Sequence, residues 1–372
     1  MPHELLEHIF QYFVHSYNQL PERLLFVCRT FYVVAINCRA LWTCLNPVER
    51  FPLHHLPLWT GTLIQSRVAR SNPAPLDIDF TEVRDSEMTD EFAKKVTGIP
   101  TLLKRCRSIV ISRPSELHFF QGSQPLLESL IMEGQYEASH YYIERNLWEN
   151  VEECPNLRSL KVNMLLGIGE WPDHLFQRLT HLEIITPLLR RNNTSYHHVI
   201  LPIAKRLQSL TIGVAYGVPQ PVIHQSLQTL VLVYKFPSIL PYVNPPYTLG
   251  EIVCPELRRL EIQLPFSELL SSIRLVHTQK LSDLRLECKQ HVSYDEEDDL
   301  SLDEKWSDSI VKLFQSIGTI KHLELGSGTK AITGLVESLE ADPALCPDLE
   351  LLHMEHIGLC RPDRILTLLR DC

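Results

Sequence analysis

The feature that most constrains this chain is a six-residue pattern that recurs from residue 106 to the C-terminal region. In each copy, apolar residues fill the first, fourth and sixth positions, and variable residues fill the others. One such hexapeptide is a weak signal, but a long series of them predicts a repeat architecture. The steps between copies run from 20 to 30 residues, except one of 39 that holds an acidic insert. The ten copies begin at Cys106, Leu127, Leu157, Leu179, Leu207, Leu227, Leu257, Leu281, Ile320 and Leu349.

These repeats predict the fold through burial. Each unit contributes a short strand whose apolar side chains point inward, and no single unit can cover that face without neighbours. The pattern is similar to that of the leucine-rich-repeat family, although the Asn or Cys usual after each strand is mostly missing. The resemblance implies an α/β fold for residues 106–372: an irregular solenoid with a curved parallel sheet and helices on its convex side. Three copies follow a Cys-Pro pair, at Cys154-Pro155, Cys254-Pro255 and Cys346-Pro347.

Residues 1–45 follow a different, helical period. Apolar residues from Leu5 to Val14 lie on one face of a helix that starts near Pro2. A second apolar stripe starts near Pro21 and bends near Cys28. A module of this length buries too little surface to be comfortably stable alone. The sequence therefore predicts a three-helix module that leans on a neighbour.

Three separated clusters in this module resemble the F-box: Pro2-x-Glu4-Leu5-Leu6-x-x-Ile9-Phe10, Leu24-x-x-Val27-Cys28-Arg29-x-Phe31 and Leu41-Trp42-x-x-Leu45. Met1 stands where the family usually has Leu, and Gln19-Leu20-Pro21 stands where it usually has Asp-Leu. The resemblance implies docking onto a Skp-type adaptor, which joins the chain to a cullin scaffold and a RING-bound ubiquitin-conjugating enzyme. The adaptor-contacting positions carry over to Pro2, Leu5, Leu6, Ile9, Leu24, Val27, Cys28, Leu41 and Trp42.

The connector, residues 46–105, is broken by prolines into short pieces. Residues 56–68 are compatible with one helix, and a second helix is expected around residues 90–104. Between them, Leu76 to Phe80 alternate like a half-buried strand, which we expect to be the first rung of the solenoid.

The variable positions inside the strands predict where a client protein binds, because they face outward from the sheet. An ordinary solvated face is the alternative for each of these residues taken singly. The candidates are Arg158, Lys161 and Asn163, then His181 and Glu183, then Arg258, Arg259 and Glu261, then Asp283, Arg285 and Glu287.

Composition and missing motifs argue against other classes of protein. A formal net charge of -10 argues against a nucleic-acid partner. Ten cysteines without a C-x-x-C pair, and no basic-then-apolar leader, predict a cytoplasmic or nuclear protein with reduced thiols. No apolar run is long enough to span a membrane. No nucleotide-binding, zincin or nucleophile-elbow motif is present, so we expect no catalysis and no cofactor. We expect no metal site at His353 to His356, because a strand turns alternate side chains to opposite faces.

The sequence therefore favours the client-recognising subunit of a Skp-cullin-F-box ubiquitin ligase, with the adaptor bound at residues 1–45 and the client on the repeats. A repeat-based interaction scaffold outside the ligase is the alternative, and an enzyme with a convergent site is a third class. Met1 stands inside the usual motif and the chain ends abruptly at Cys372, which is compatible with a shortened gene model at either terminus.

Overall fold

The computed structural model shows an α/β protein dominated by parallel strands. The chain divides into two compact units. The first unit contains Met1–Leu166 and Glu170–Leu175, and the second contains Gly167–Gly169 and Phe176–Cys372. The structure describes residues 2–16, 21–45, 61–79, 102, 104–111, 124–133, 154–163, 173–185, 200–214, 222–234, 251–264, 274–288, 311, 313–315, 317, 320–326 and 346–354.

The first unit begins with the predicted helical module. Helix α1 spans His3–Ser16, a 3-10 helix η1 spans Pro21–Phe26, helix α2 spans Arg29–Asn37, and a 3-10 helix η2 spans Arg39–Trp42. The predicted bend at residues 28–30 is the break between η1 and α2, where the Cys28 sulfur accepts a hydrogen bond from the Phe31 amide and caps α2. The module therefore has the helical order that its sequence predicts: α1 first, then a second segment broken into η1 and α2, and η2 at the end.

The module has a core of its own. Phe10 and Phe31 meet edge to face with ring centroids 4.8 Å apart. The buried Trp42 indole N–H donates to the Ala35 carbonyl at 2.9 Å, so its polar atom keeps a partner inside the core. The core residues are Leu6, Phe10, Val14, Leu24, Val34, Ala35, Cys38, Leu41 and Trp42.

The module leads directly into a parallel sheet. Strand β1 (Cys44–Leu45) pairs with β2 (Leu76–Asp79), which pairs with β3 (Cys106–Ile111). Strands β4 (Ser129–Met132) and β5 (Ser159–Val162) continue the order. The strand expected from residue 76 is confirmed as β2, apart from Phe80, which lies outside the described residues. It is the second strand of the sheet rather than the expected first, because β1 precedes it. Strand β1 was not predicted, since two residues are too few to show a period.

Helix α3 (Gly61–Ser71) is the neighbour on which the module leans. Arg67 is buried and donates two hydrogen bonds to the Glu22 carboxylate of η1, from Nε to Oε1 at 2.7 Å and from Nη2 to Oε2 at 2.6 Å. The Arg70 guanidinium lies 4.4 Å from the centre of the Trp42 ring. The helix expected over residues 56–68 is thus present from Gly61 onward, and residues 56–60 lie outside the described part of the chain. Of the helix expected around residues 90–104, only positions 102 and 104 are described.

The second unit continues the same architecture. Strands β6 (His181–Ile184), β7 (Ser209–Val214), β9 (Thr229–Tyr234), β11 (Arg259–Leu264), β13 (Asp283–Cys288), β14 (His322–Gly326) and β15 (Leu351–Met354) pair in this order, all parallel. Helix α4 (Asp173–Arg178) precedes β6 and contains the unit boundary. In the first nine hexapeptides every apolar position is buried, so the inward face is the one that the sequence predicts.

Some described segments between the hexapeptides of the second unit are strands where helices were expected. Strands β8 (Val222–Ile223), β10 (Glu251–Val253) and β12 (Arg274–Val276) form a second, three-stranded parallel sheet. Ile252 is buried between exposed Glu251 and half-buried Val253, which is the two-residue alternation of a strand. In three consecutive repeats, therefore, the described return segment is extended where helices were expected.

One backbone contact repeats from rung to rung. The carbonyl of the second residue of a hexapeptide accepts hydrogen bonds from the second and third amides of the next hexapeptide. The Gln228 carbonyl accepts from the amides of Arg258 and Arg259 at 2.8 and 3.0 Å, and the Arg258 carbonyl accepts from Ser282 and Asp283 at 3.0 and 2.9 Å. From β4 onward, the strand of each hexapeptide therefore starts two residues after its first apolar residue, whereas β3 starts at that residue itself, Cys106.

The residue three positions before each hexapeptide is buried in every repeat from β4 to β15. Cys154, Cys254 and Cys346 occupy it, and the carbonyl of each closes a turn by accepting from the amide three residues on. This accounts for the Cys-Pro pairs as buried turn residues. Burial raises the pKa of the thiols of Cys254 and Cys346 to about 11, so both stay protonated and unreactive at neutral pH.

His224 occupies the same turn position and is the buried histidine of the described residues. Its Nε2 lies 3.0 Å from the Ala204 carbonyl, and its Nδ1 accepts from the Ser226 amide at 3.3 Å. These partners fix a neutral ring with the proton on Nε2. Burial lowers the pKa of His224, and the hydrogen bond to Ala204 opposes this only in part.

Breaking the buried ion pair will destabilise the first unit. We expect Arg67→Ala to lower the free energy of unfolding by about 3–5 kcal/mol, because it leaves the Glu22 carboxylate without its cation in a largely dry site. The matched control is Arg107→Ala, which removes an exposed pair with Asp77 and should cost less than about 1 kcal/mol. Urea unfolding of both variants makes the comparison, and equal costs would contradict a bracing role for Arg67.

His224 will make the second unit acid-sensitive. Folding lowers the pKa of His224 below its ordinary value of 6.5. As the pH drops, His224 of the unfolded chain is therefore protonated first, and the free energy of unfolding falls below about that pH. Gln, which already fills this turn position at residue 124, can keep the hydrogen bond to Ala204 without titrating. We expect the wild type to lose stability relative to His224→Gln between about pH 7 and about pH 5. The melting temperature of both proteins is measured across this pH range, and an equal change in the two would refute the prediction.

Candidate functional site

Helix α1 carries two apolar stripes with different fates. Leu6, Phe10 and Val14 are buried in the module core, whereas Leu5 and Ile9 are 50% and 45% exposed. Both stripes follow the spacing of one helix face, about a third of a turn apart. The module therefore buries one stripe of α1 in its own core and leaves the other stripe, with Leu5 and Ile9, exposed to solvent.

Exposed apolar side chains are concentrated in this module. Among the described residues, seven of the ten exposed large apolar side chains lie in residues 5–33. Phe26 is 87% exposed and Val27 is 61% exposed, at the end of η1. Large exposed apolar patches mark surfaces that a partner covers, which makes these residues candidates for such a surface. We call these residues the docking set: Leu5, Ile9, Tyr12, Phe26, Val27, Tyr32 and Val33.

The structure divides the nine predicted adaptor-contacting residues into two groups. Pro2, Leu5, Ile9, Val27 and Cys28 are exposed. The other four are at most 5% exposed, so a partner cannot reach them while the module core is closed. These four residues, Leu6, Leu24, Leu41 and Trp42, hold the module together.

Four members of the docking set were missed by the sequence argument. Tyr12 lies seven residues after Leu5 and three after Ile9, so the helical period could have found it. Phe26 and the α2 residues Tyr32 and Val33 follow no period that separates an exposed apolar residue from a buried one.

A second candidate surface is the outward face of strands β11, β13 and β14. The parallel register sets Arg259 beside Asp283 and Asp283 beside His322. Two residues further along, it sets Glu261 beside Arg285 and Arg285 beside Glu324. Charged side chains from three strands therefore form two adjacent rows.

Arg285 lies at the centre of these rows. Its guanidinium is 3.1 Å from Glu324, 3.7 Å from Glu261 and 3.9 Å from Glu287. Glu261 also reaches Arg259 at 3.5 Å. The side chains of Arg285 and its three carboxylates are 13% to 27% exposed, so water screens these contacts less than it would on an open surface.

Asp283 is held ionised by its neighbours. Burial acts to raise its pKa, but hydrogen bonds from Ser282 and His322, with the charges of His322 and Arg259, outweigh burial and lower the pKa. His322 Nδ1 lies 2.7 Å from Asp283 Oδ1, and Ser282 Oγ donates to the other carboxylate oxygen. The carboxylate is thus available as a fixed negative charge.

The other predicted client-binding residues are spread over both units. Lys161 of β5 is on the outward face of the first unit, 2.9 Å from Glu133. The Asn163 side chain is half-buried, at the end of that strand. His181 and Glu183 of β6 lie on the outward face in the second unit, where the Thr180 hydroxyl contacts the His181 ring.

Arg158 and Arg258 belong elsewhere. Both precede their strands and lie in the turn, and Arg158 bonds to the carbonyls of Pro155 and Leu157. Neither is part of an outward strand row. The missed members of the rows are His322, Glu324 and His353, which fill variable positions of the ninth and tenth hexapeptides. The same positional rule finds them when it is applied to every copy.

Within the described residues, no group of three or more His, Cys, Asp or Glu side chains is placed to hold a metal ion. None of the described helices is both long enough and apolar enough to cross a bilayer. The chemistry that these residues offer is therefore that of surfaces: apolar in the module and charged on the last strands.

In comparisons with known proteins, no protein-family model and no curated protein sequence matches this chain. The function has to be inferred from the chain's own residues.

The division of α1 into a core stripe and a surface stripe can be tested by stability. We expect Leu6→Ala to cost about 2–5 kcal/mol, because it opens a cavity in the module core. Leu5→Ala, one residue away with the same change in volume, should stay within about 0.5 kcal/mol of wild type. Urea unfolding of the full chain measures both. A large loss for Leu5→Ala would mean that Leu5 is covered by the chain itself.

Proposed function

We propose that this protein is the client-recognising subunit of a Skp-cullin-F-box ubiquitin ligase and has no catalytic chemistry of its own. In this function, the helical module binds a Skp-type adaptor and the repeats bind the protein to be ubiquitinated. The protein then acts by positioning, because partner subunits transfer the ubiquitin.

The observation that carries the proposal is the docking set on a module with a complete core. The module resembles the F-box in sequence, and five of the nine residues that the resemblance assigns to the adaptor are exposed. A large apolar side chain contributes about 1.5–3 kcal/mol when it moves from water into a partner's groove. Exposing several such side chains is costly for solubility, and a permanent partner removes that cost.

The repeats support the second half of the proposal. Stacked strands present their variable positions side by side on one face, and extended faces of this type suit protein partners. In this chain the outward rows on β11, β13 and β14 contain six charged residues, Arg259, Glu261, Asp283, Arg285, Glu287 and Glu324. A client is thus expected there rather than on the module.

Adaptor binding is the deciding experiment. We expect the full chain to bind a purified Skp-type adaptor and the double variant Leu5→Asp with Ile9→Asp to bind at least about 100-fold more weakly, because two apolar contacts are replaced by charges. Leu6 is unsuitable for this test, since it is 4% exposed and its change would unfold the module. Isothermal titration calorimetry gives the affinities.

The matched control is Ile223→Asp with Leu351→Asp, which changes two exposed apolar residues of the second unit. It should bind the adaptor as the wild type does, and circular dichroism should show all three proteins folded. A folded wild type that does not bind the adaptor would overturn the ligase function and favour a repeat scaffold outside the ligase.

A further inference from the structure

The outward face of the second unit changes character between β9 and β11. On β7 and β9 the paired outward positions hold Ser209 and Thr229, then Thr211 and Val231, without a charge. The next three strands, β11, β13 and β14, carry four carboxylates and two guanidinium groups. The charged patch, as we call it, consists of Arg259, Glu261, Asp283, Arg285, Glu287 and Glu324.

Carboxylates outnumber cations in the charged patch. Arg285 contacts three of them, yet one positive charge cannot neutralise three negative ones. Arg259 contributes the second positive charge, through Glu261. The patch keeps a formal excess of two negative charges when His322 is neutral. Partial burial strengthens the field of that excess, because fewer water molecules screen it.

The charge of the whole chain follows the same division. Residues 1–250 contain 22 basic and 22 acidic side chains, whereas residues 251–372 contain 13 basic and 23 acidic ones. The entire formal net charge of -10 therefore belongs to the last third of the chain, which includes the charged patch. A cationic partner is drawn toward this part of the protein, and an anionic one is repelled.

We infer that the charged patch binds a Lys- or Arg-bearing segment of a protein partner. That this partner is the ubiquitination client rests on the proposed function, whereas the binding itself does not. A phosphorylated segment is the weaker fit, because the cations that it needs, Arg259 and Arg285, already lie against carboxylates. A cation brought by a partner instead meets four carboxylates that are balanced by only two guanidinium groups within the charged patch.

The test uses the full chain and three labelled peptides: alternating Lys and Ser, alternating Glu and Ser, and a phosphoserine peptide. Fluorescence anisotropy at low salt should show that only the Lys peptide of the three binds the chain, and added salt should weaken this binding. In the variant Glu287→Gln with Glu324→Gln, which removes two patch charges at nearly constant shape, we expect about tenfold weaker binding.

Two further variants separate the patch from general electrostatics. Glu256→Gln with Glu350→Gln removes the same number of charges at exposed turns, where these residues pair with Lys280 and Lys321, and should change the affinity less than about twofold. Arg259→Gln acts in the opposite direction. It increases the negative excess of the patch, so the Lys peptide should bind more tightly, a gain that misfolding cannot produce.

Equal weakening in the two double variants, or preference for the phosphoserine peptide, would overturn the inference. These outcomes are independent of the adaptor. A chain that binds the adaptor but not the Lys peptide keeps the ligase function and loses the cationic partner, whereas the reverse result keeps the cationic partner and loses the ligase function.

Discussion

The structure depends on the covering of each strand by the next. A hexapeptide buries three apolar side chains, but it can do so only when adjacent rungs close the inward face on both sides. A carbonyl of the neighbouring rung also accepts hydrogen bonds from the amides at the start of the strand, as the Gln228 carbonyl does from Arg258 and Arg259. Side-chain burial and backbone hydrogen bonding thus require the same stacking, which is why the pattern tolerates large differences in the length between rungs.

This constraint explains which parts of the fold the sequence predicts. The strands carry three apolar residues at fixed spacing, and from β4 onward each hexapeptide's strand starts at the same place. The return segments carry no shared spacing. In three of them the described residues, β8, β10 and β12, are extended where helices were expected, and two or three residues are too few to show a period. Cys254 and His224 illustrate a similar limit: the turn position requires burial and a closing carbonyl, and several side chains satisfy both.

The candidate sites were predictable in position but not in role. Leu5 and Leu6 have the same side chain on neighbouring positions of α1, yet one is half exposed and the other is core. The difference arises from where η1 and α2 pack, which the helical period does not encode. On the sheet, alternation does assign the outward residues, and the members that were missed, such as Glu324, lay in hexapeptides already recognised. The buried pair of Arg67 and Glu22 spans 45 residues and has no local signature.

The charged patch is where stability and binding make opposite demands. Glu261 and Glu324 lie on either side of Arg285 in one cross-strand row, and Glu287 follows it on β13. These carboxylates repel one another, and Arg285 offsets that repulsion by lying among them. A second arginine on β14 in place of Glu324 would balance the charge more fully and would also remove the negative field. The patch instead keeps one central cation and a surplus of acid. A cation supplied from outside completes the balance that the fold leaves open, so the electrostatic strain of the free protein becomes part of the affinity for its partner.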